Sequence, residues 1–199
     1  LFREQKIAGF FVPENTYTIS SVVPQIDTQI KDLDNVTLVT SQNIRGIKLN
    51  LDKPNEVGAD RLVNALAAYS HVQSECLVID SGTALTCCYV SKDGTYEGGL
   101  IFPGMGIASK ALNDYTAKIP YIQVASQHKL VGKSTKEAVE IGLYQGYIQL
   151  INGLIAQYKQ AHPHIKVIGT GTGLEVLKDQ INLDEFRPHL ILEGLTLVG

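Results

Sequence analysis

The sequence predicts an α/β fold with a ligand-binding turn at the end of a buried strand. Two observations point there. Strand and helix signals alternate along the chain. In the second half, a short apolar run leads into Asp80-Ser81-Gly82-Thr83, and two further strands, a tight turn and a helix follow in that order.

The elements follow from local patterns. Residues 17–23 are β-rich and stop at Pro24; 25–33 read as a short helix and 36–40 as a strand. Residues 56–69 set Val57, Leu62, Val63, Leu66 and Ala67 on one helical face. Cys76-Leu77-Val78-Ile79 reads as a buried strand and 84–91 as its neighbour. Lys92-Asp93-Gly94 is a hairpin signal, 95–102 a third strand, and Pro103-Gly104 a break. A helix is expected over 107–117, ending before Pro120. A long helix over 134–160 carries Ile141, Tyr144, Ile148, Ile151, Leu154, Ile155 and Tyr158 near one face. Residues 165–168 read as a strand, 169–173 as a glycine-rich loop, and 174–180 and 192–197 as short helices.

The strand, Asp-x-Gly-Thr, strand, turn, strand, helix order is similar to one lobe of the actin-like (ribonuclease H-like) ATPases, in which two such lobes hold nucleotide between them. The expected division is an N-terminal lobe over residues 1–75 and a C-terminal lobe over 76–199. The first half shows no Asp-x-Gly turn of its own, so its first strand and phosphate loop are expected to be missing.

Composition narrows the function. With 199 residues, 44% of them hydrophobic, there is material for a proper core. A net charge of -3 gives no basic footprint for nucleic acid. No apolar run approaches a membrane span. Leu1-Phe2-Arg3-Glu4-Gln5-Lys6 lacks a signal-peptide layout, so the cytoplasm is expected. The lack of an initiator Met leads us to expect a chain that starts inside a longer gene product. Cys87 and Cys88 are adjacent and point to opposite faces of a strand, so the three Cys read as small buried hydrophobes. His162-Pro163-His164 reads as a solvated turn rather than a metal site.

Four constellations bear on chemistry. In Asp80-Ser81-Gly82-Thr83, Gly82 allows a tight turn, backbone N–H groups and the Thr83 hydroxyl are suited to phosphate oxygens, and Asp80 is placed to hold a cation. An ordinary turn is the alternative. Gly58-Ala59-Asp60-Arg61 opens a helix, where the dipole favours a carboxylate by roughly 0.3–1 kcal/mol. Asp60 there is a candidate weak base, and Arg61 a candidate bidentate partner for a carboxylate or phosphate. Gly132-Lys133-Ser134-Thr135 resembles the end of a P-loop, but Gln127 stands where the first glycine is needed, so capping of the long helix is the default. Gly169-Thr170-Gly171-Thr172-Gly173 has more glycines than a plain turn needs, which favours close approach of a flat ligand such as adenine.

Together these pieces resemble the type III pantothenate kinases. The matching segments are Ile19-Ser20-Ser21-Val22-Val23-Pro24, the run from Glu56 to Ala65, Asp80 to Ala84, Gly98-Gly99 with Pro103-Gly104, Thr116 to Pro120, Gly132 to Ala138 and Leu192 to Leu195. The resemblance implies a two-lobed actin-like homodimer that uses ATP with Mg to phosphorylate pantothenate, the first step of coenzyme A synthesis. It implies Asp60 as proton acceptor and Gly58, Ala59, Asp60 and Arg61 as the pantothenate-binding segment. Thr135 would reach pantothenate across the dimer. Asp80 would ligate a monovalent cation, potassium or ammonium, while Gly82, Thr83 and Gly171 would meet ATP. Leu51 departs from the pattern, since relatives often carry Tyr three residues before the proline corresponding to Pro54. Two alternatives stay open: a non-catalytic transcriptional accessory protein of the same fold, or an actin-like kinase for another small alcohol.

Overall fold

The computed structural model describes residues 10–198, so Leu1-Phe2-Arg3, which resembles the strand that follows the family's phosphate loop, lies outside the described residues. Strands β1 (Tyr17–Ile19) and β2 (Val36–Leu38) pair in parallel, with α1 (Pro24–Ile30) crossing between them. Pro24 fixes the first helical residue, one position earlier than the sequence reading. The helix stops at Ile30 rather than residue 33 because Leu33 N donates to Ile30 O, tightening the last turn.

The main sheet has six strands: β3 (Lys48–Leu49), β4 (Cys76–Ser81), β5 (Ala84–Val90), β6 (Thr95–Pro103), β7 (Lys166–Thr170) and β8 (Glu185–Phe186). Their order is β3-β6-β5-β4-β7-β8. β4, β5 and β6 form an antiparallel meander, and β7 returns parallel to β4. This is the strand order read from the sequence for residues 76–103. β3 and β8 escaped that reading, because two-residue strands carry no period that a sequence can show.

Alternation along the strands explains why both faces of this sheet are covered. Cys76, Val78, Cys88, Val90 and Tyr96 point to one face, where they meet α2 (Ala59–Val72) and α6 (Leu190–Leu195). Leu77, Ile79, Leu85 and Cys87 point to the other, beneath α3 (Met105–Tyr115), α4 (Thr135–Ala161) and α5 (Thr172–Glu175). Cys87 and Cys88 therefore divide between the faces as expected, and all three cysteines are free and buried.

Helix α4 buries Ile141, Tyr144, Ile148, Ile151 and Ile155 against the sheet, each contributing about 1.5–3 kcal/mol by leaving water. Its long apolar face is thus the core face. Several boundaries moved. α3 starts at Met105 because Gly104 is extended and its N–H is bound by Thr83 O, and it stops where Thr116 Oγ1 caps Leu112 O. The expected helix over 174–180 is instead α5 followed by a 3-10 turn at Lys178–Gln180, and α6 begins at residue 190 rather than 192. His162 is not simply solvated: its Nδ1 lies 3.1 Å from Glu75 Oε2 and 3.2 Å from Tyr89 Oη, pinning the end of α4 to the sheet.

Candidate active site

Two acidic side chains from separate segments come near one another at the end of β4, an interior strand of the main sheet. Asp80 ends β4, where the chain turns through Ser81 and Gly82; Asp60 stands in the first turn of α2. Residues 60 and 64 share a helical face, and Asn64 Nδ2 donates to Asp80 Oδ2 at 2.9 Å, tying the helix to the strand end. Burial pushes the Asp80 carboxyl above the usual carboxylate range and the neighbouring charge of Asp60 adds to this, while the Asn64 bond opposes it. Asp60 Oδ1 accepts from Arg61 N at 2.8 Å, so the helix start itself holds its carboxylate.

The β4–β5 turn is braced from two sides. Gly82 N donates to Ala84 O, and Gly104 N donates to Thr83 O at 3.0 Å. Gly104 has to be glycine, since a Cβ there would run into the Gly82 and Thr83 carbonyls. Gly82 and Thr83 are exposed. Gly82 lines a cleft of about 320 Å³ with Gly106, Tyr121, Thr172 and Gly173.

Gly171 follows β7 with a φ of 91°, and a Cβ there would fall on Asp80 Oδ1 and within 2.6 Å of Ser81 O. Gly169 packs under Leu174 and Leu183, and Gly173 against Ser81. The protein's own atoms therefore account for the glycines that the sequence reading assigned to a flat ligand. Their role is to let this loop press against the end of β4.

Arg61 is half-buried. Its Nε donates to Cys88 Sγ at 3.3 Å, and its guanidinium carbon sits 5.8 Å from the centre of the Tyr96 ring. Burial works against its charge, but Cys88, Tyr96 and Asp60 outweigh this and hold its pKa above the ordinary value. Arg61 lines a cavity of about 450 Å³ together with Leu51, Lys53, Val57, Tyr96 and Ile101. Gly58 and Ala59 open onto a neighbouring cavity of about 420 Å³ lined by Ser21, Thr40 and Asn55.

Thr135 lies apart. It borders an apolar groove of about 440 Å³ between α3 and α4, lined by Leu112, Ile119, Val139 and Leu143, and none of the other expected site residues lines that groove. Ser134 caps α4, its Oγ accepting from Glu137 N at 3.2 Å, while Glu137 Oε2 accepts from Lys133 N at 2.9 Å. Capping thus accounts for Gly-Lys-Ser-Thr without a phosphate.

Sequence reasoning missed Asn64, Cys88 and Tyr96. Asn64 carried a signal, its i+4 spacing from Asp60; the other two needed the sheet. Among the described residues no cluster of three or more His, Cys, Asp or Glu forms a metal cage. The residues around Asp80 would nonetheless suit one hard cation: its carboxyl has that of Asp60 nearby, and the buried Asn64 Oδ1 beside it has no hydrogen-bond partner among the described residues.

The family model for type III pantothenate kinase matches residues 1–157. The type III pantothenate kinase of Phenylobacterium zucineum is 38% identical over 185 residues, covering 89% of this chain and 72% of that protein. That of Listeria monocytogenes serotype 4a is 36% identical over 188 residues, covering 90% and 73%. Among solved structures, a protein described as a Baf family transcriptional activator from Campylobacter jejuni superposes with a TM-score of 0.66 at 18% identity, covering 96% of this chain and 84% of that one; this likeness shows the fold alone.

These matches define a kinase. The chain belongs to the type III pantothenate kinase family.

Proposed function

We propose that this protein transfers the γ-phosphoryl group of ATP, bound with Mg, to the primary hydroxyl of pantothenate, giving 4'-phosphopantothenate for coenzyme A synthesis. One observation carries the site assignment: the Asn64–Asp80 hydrogen bond of 2.9 Å, which joins the helix bearing Asp60 to the strand bearing Asp80. Residues 1–75 and 76–199 are taken as the two lobes, with β3 and α2 of the first packed on the sheet of the second.

In this reading Gly58, Ala59, Asp60 and Arg61 hold pantothenate. The Asp60 carboxylate orients the attacking hydroxyl and takes its proton as the bond to phosphorus forms. A loose transition state asks mainly for such positioning, so a weak base suffices. Gly82 and Thr83, at the braced turn, meet the ATP phosphates with backbone N–H and hydroxyl donors. Gly171 serves ATP indirectly, by seating its loop against Asp80.

A monovalent cation, potassium or ammonium, would be held by Asp80 and would supply positive charge against the transferring phosphate. Thr135 reaches pantothenate from the second copy of a homodimer. The apolar groove beside it, with Leu143 and Ile119, supports that arrangement, because an apolar lining of this kind suits a second copy. The setting is the cytoplasm, where ATP and reduced thiols such as the three free cysteines belong.

The test is phosphate transfer by the intact protein from ATP to pantothenate, with and without potassium, and with Asp60→Asn as control. Turnover that depends on pantothenate and collapses in Asp60→Asn is expected. An intact protein that consumes no ATP when pantothenate is added sinks the reading.

A further inference from the structure

Among the described residues Arg61 has no ion pair. Its side-chain partners there are a thiol and an aromatic residue, both buried: Cys88 is 2% exposed and Tyr96 fully covered. Two donors converge on the one sulfur, since Tyr96 Oη also donates to Cys88 Sγ at 3.2 Å. The three residues come from α2, β5 and β6, so the contact exists only once helix and sheet are packed. A guanidinium has five N–H donors. Cys88 engages Nε and the Tyr96 hydroxyl also interacts with the guanidinium, which leaves further N–H donors beside the cavity that Arg61 lines. A guanidinium uses such donors to grip a carboxylate with two parallel hydrogen bonds.

We infer that Cys88 and Tyr96 are positioning residues that fix the Arg61 side chain so that its remaining N–H donors face the carboxylate of the substrate. This rests on the functional reading above. The physical reason is entropic and geometric. A free arginine samples many rotamers and loses that freedom on binding. Here the sulfur fixes one nitrogen and the ring face covers the cation, so the fork is set before substrate arrives. A carboxylate partner in place of the thiol would compete with the substrate for the same charge. A weak sulfur acceptor orients Arg61 while leaving its charge available.

The experiment compares Cys88→Ala, Cys88→Ser and Tyr96→Phe with the wild-type protein by calorimetric binding of pantothenate and by steady-state kinetics. Cys88→Ala should raise the pantothenate Kd and KM on the order of tenfold, the effect of losing one hydrogen bond to a charged group. The KM for ATP and kcat should stay near wild type. Cys88→Ser, which keeps an acceptor, should recover most of the loss, and Tyr96→Phe should weaken pantothenate binding in the same direction but less. Cys88→Ala binding pantothenate as wild type does, or losing ATP and pantothenate affinity equally, overturns the inference. If Cys88→Ala does not fold, unchanged pantothenate affinity in Tyr96→Phe overturns it instead. A wild-type protein that binds no pantothenate overturns the functional reading itself, a result separable from the others.

Discussion

Asn64 and Asp80 are 16 residues apart, yet the amide of one donates to the carboxylate of the other at 2.9 Å. The bond sets the distance between two segments that the reaction needs together, the α2 start with Asp60 and the β4 end with Asp80. It also leaves Asn64 Oδ1 buried and without a partner. A buried polar atom of this kind costs stability, which fits a site shaped for something other than stability.

Asp60→Asn keeps the shape of the side chain and removes its basicity. We expect kcat to fall by about 10²–10⁴-fold, the usual worth of a positioned acid or base, with the fold and the KM for ATP unchanged. A variant retaining most of its kcat would remove Asp60 from the proton path.

The carboxyl of Asp80 is held above its ordinary value, first by burial and then by Asp60. The folded state therefore keeps this proton to higher pH than the unfolded chain does. Across the window from the unfolded value of 3.8 up to the raised folded value, this group's contribution to stability falls as pH rises, and at neutral pH its ionised form is a cost. Asp80→Asn should therefore melt higher than wild type in potassium-free buffer at neutral pH, and the difference should shrink toward acid. Added potassium should raise the melting temperature of wild type and leave the variant unmoved. Equal potassium responses in the two proteins would argue against Asp80 as the cation ligand.

Gly171 sits at a φ of 91° with Asp80 and Ser81 where a Cβ would go. Gly171→Ala should cost about 1–3 kcal/mol from backbone strain alone, read as a lower melting temperature, and should also reduce activity by displacing Asp80. A variant as stable as wild type would mean that the loop is free to shift.

Ser134→Ala removes the cap of α4 and should cost about 0.5–2 kcal/mol. The KM for ATP should not change, because Gly132-Lys133-Ser134-Thr135 caps a helix in this structure. A large rise in that KM would restore a phosphate-binding role to the segment.

Leu143→Glu places a charge in the groove beside Thr135. If that groove joins two copies, wild type should run as a dimer by light scattering, and the variant as a monomer with weakened pantothenate binding. A monomeric wild type would remove Thr135 from the site.

The sequence by itself determined the α/β class, the order of the second lobe, the long α4 and the acidic motifs around Asp60 and Asp80. Those features are local: periodicity marks a buried face, and Asp-x-Gly-Thr marks a turn wherever it lies. It also marked a cap at Ser134 or Thr135, since a cap is set by neighbours in sequence, and the structure selects Ser134. Only the tertiary structure decided that Asn64 joins the two acidic segments, that Cys88 and Tyr96 lie under Arg61, and that Gly171 packs against Asp80. It likewise decided that the apolar face of α4 belongs to the core. Each of these is a contact between residues distant in the chain, made when helix packs on sheet, and no local pattern records which distant side chain will arrive.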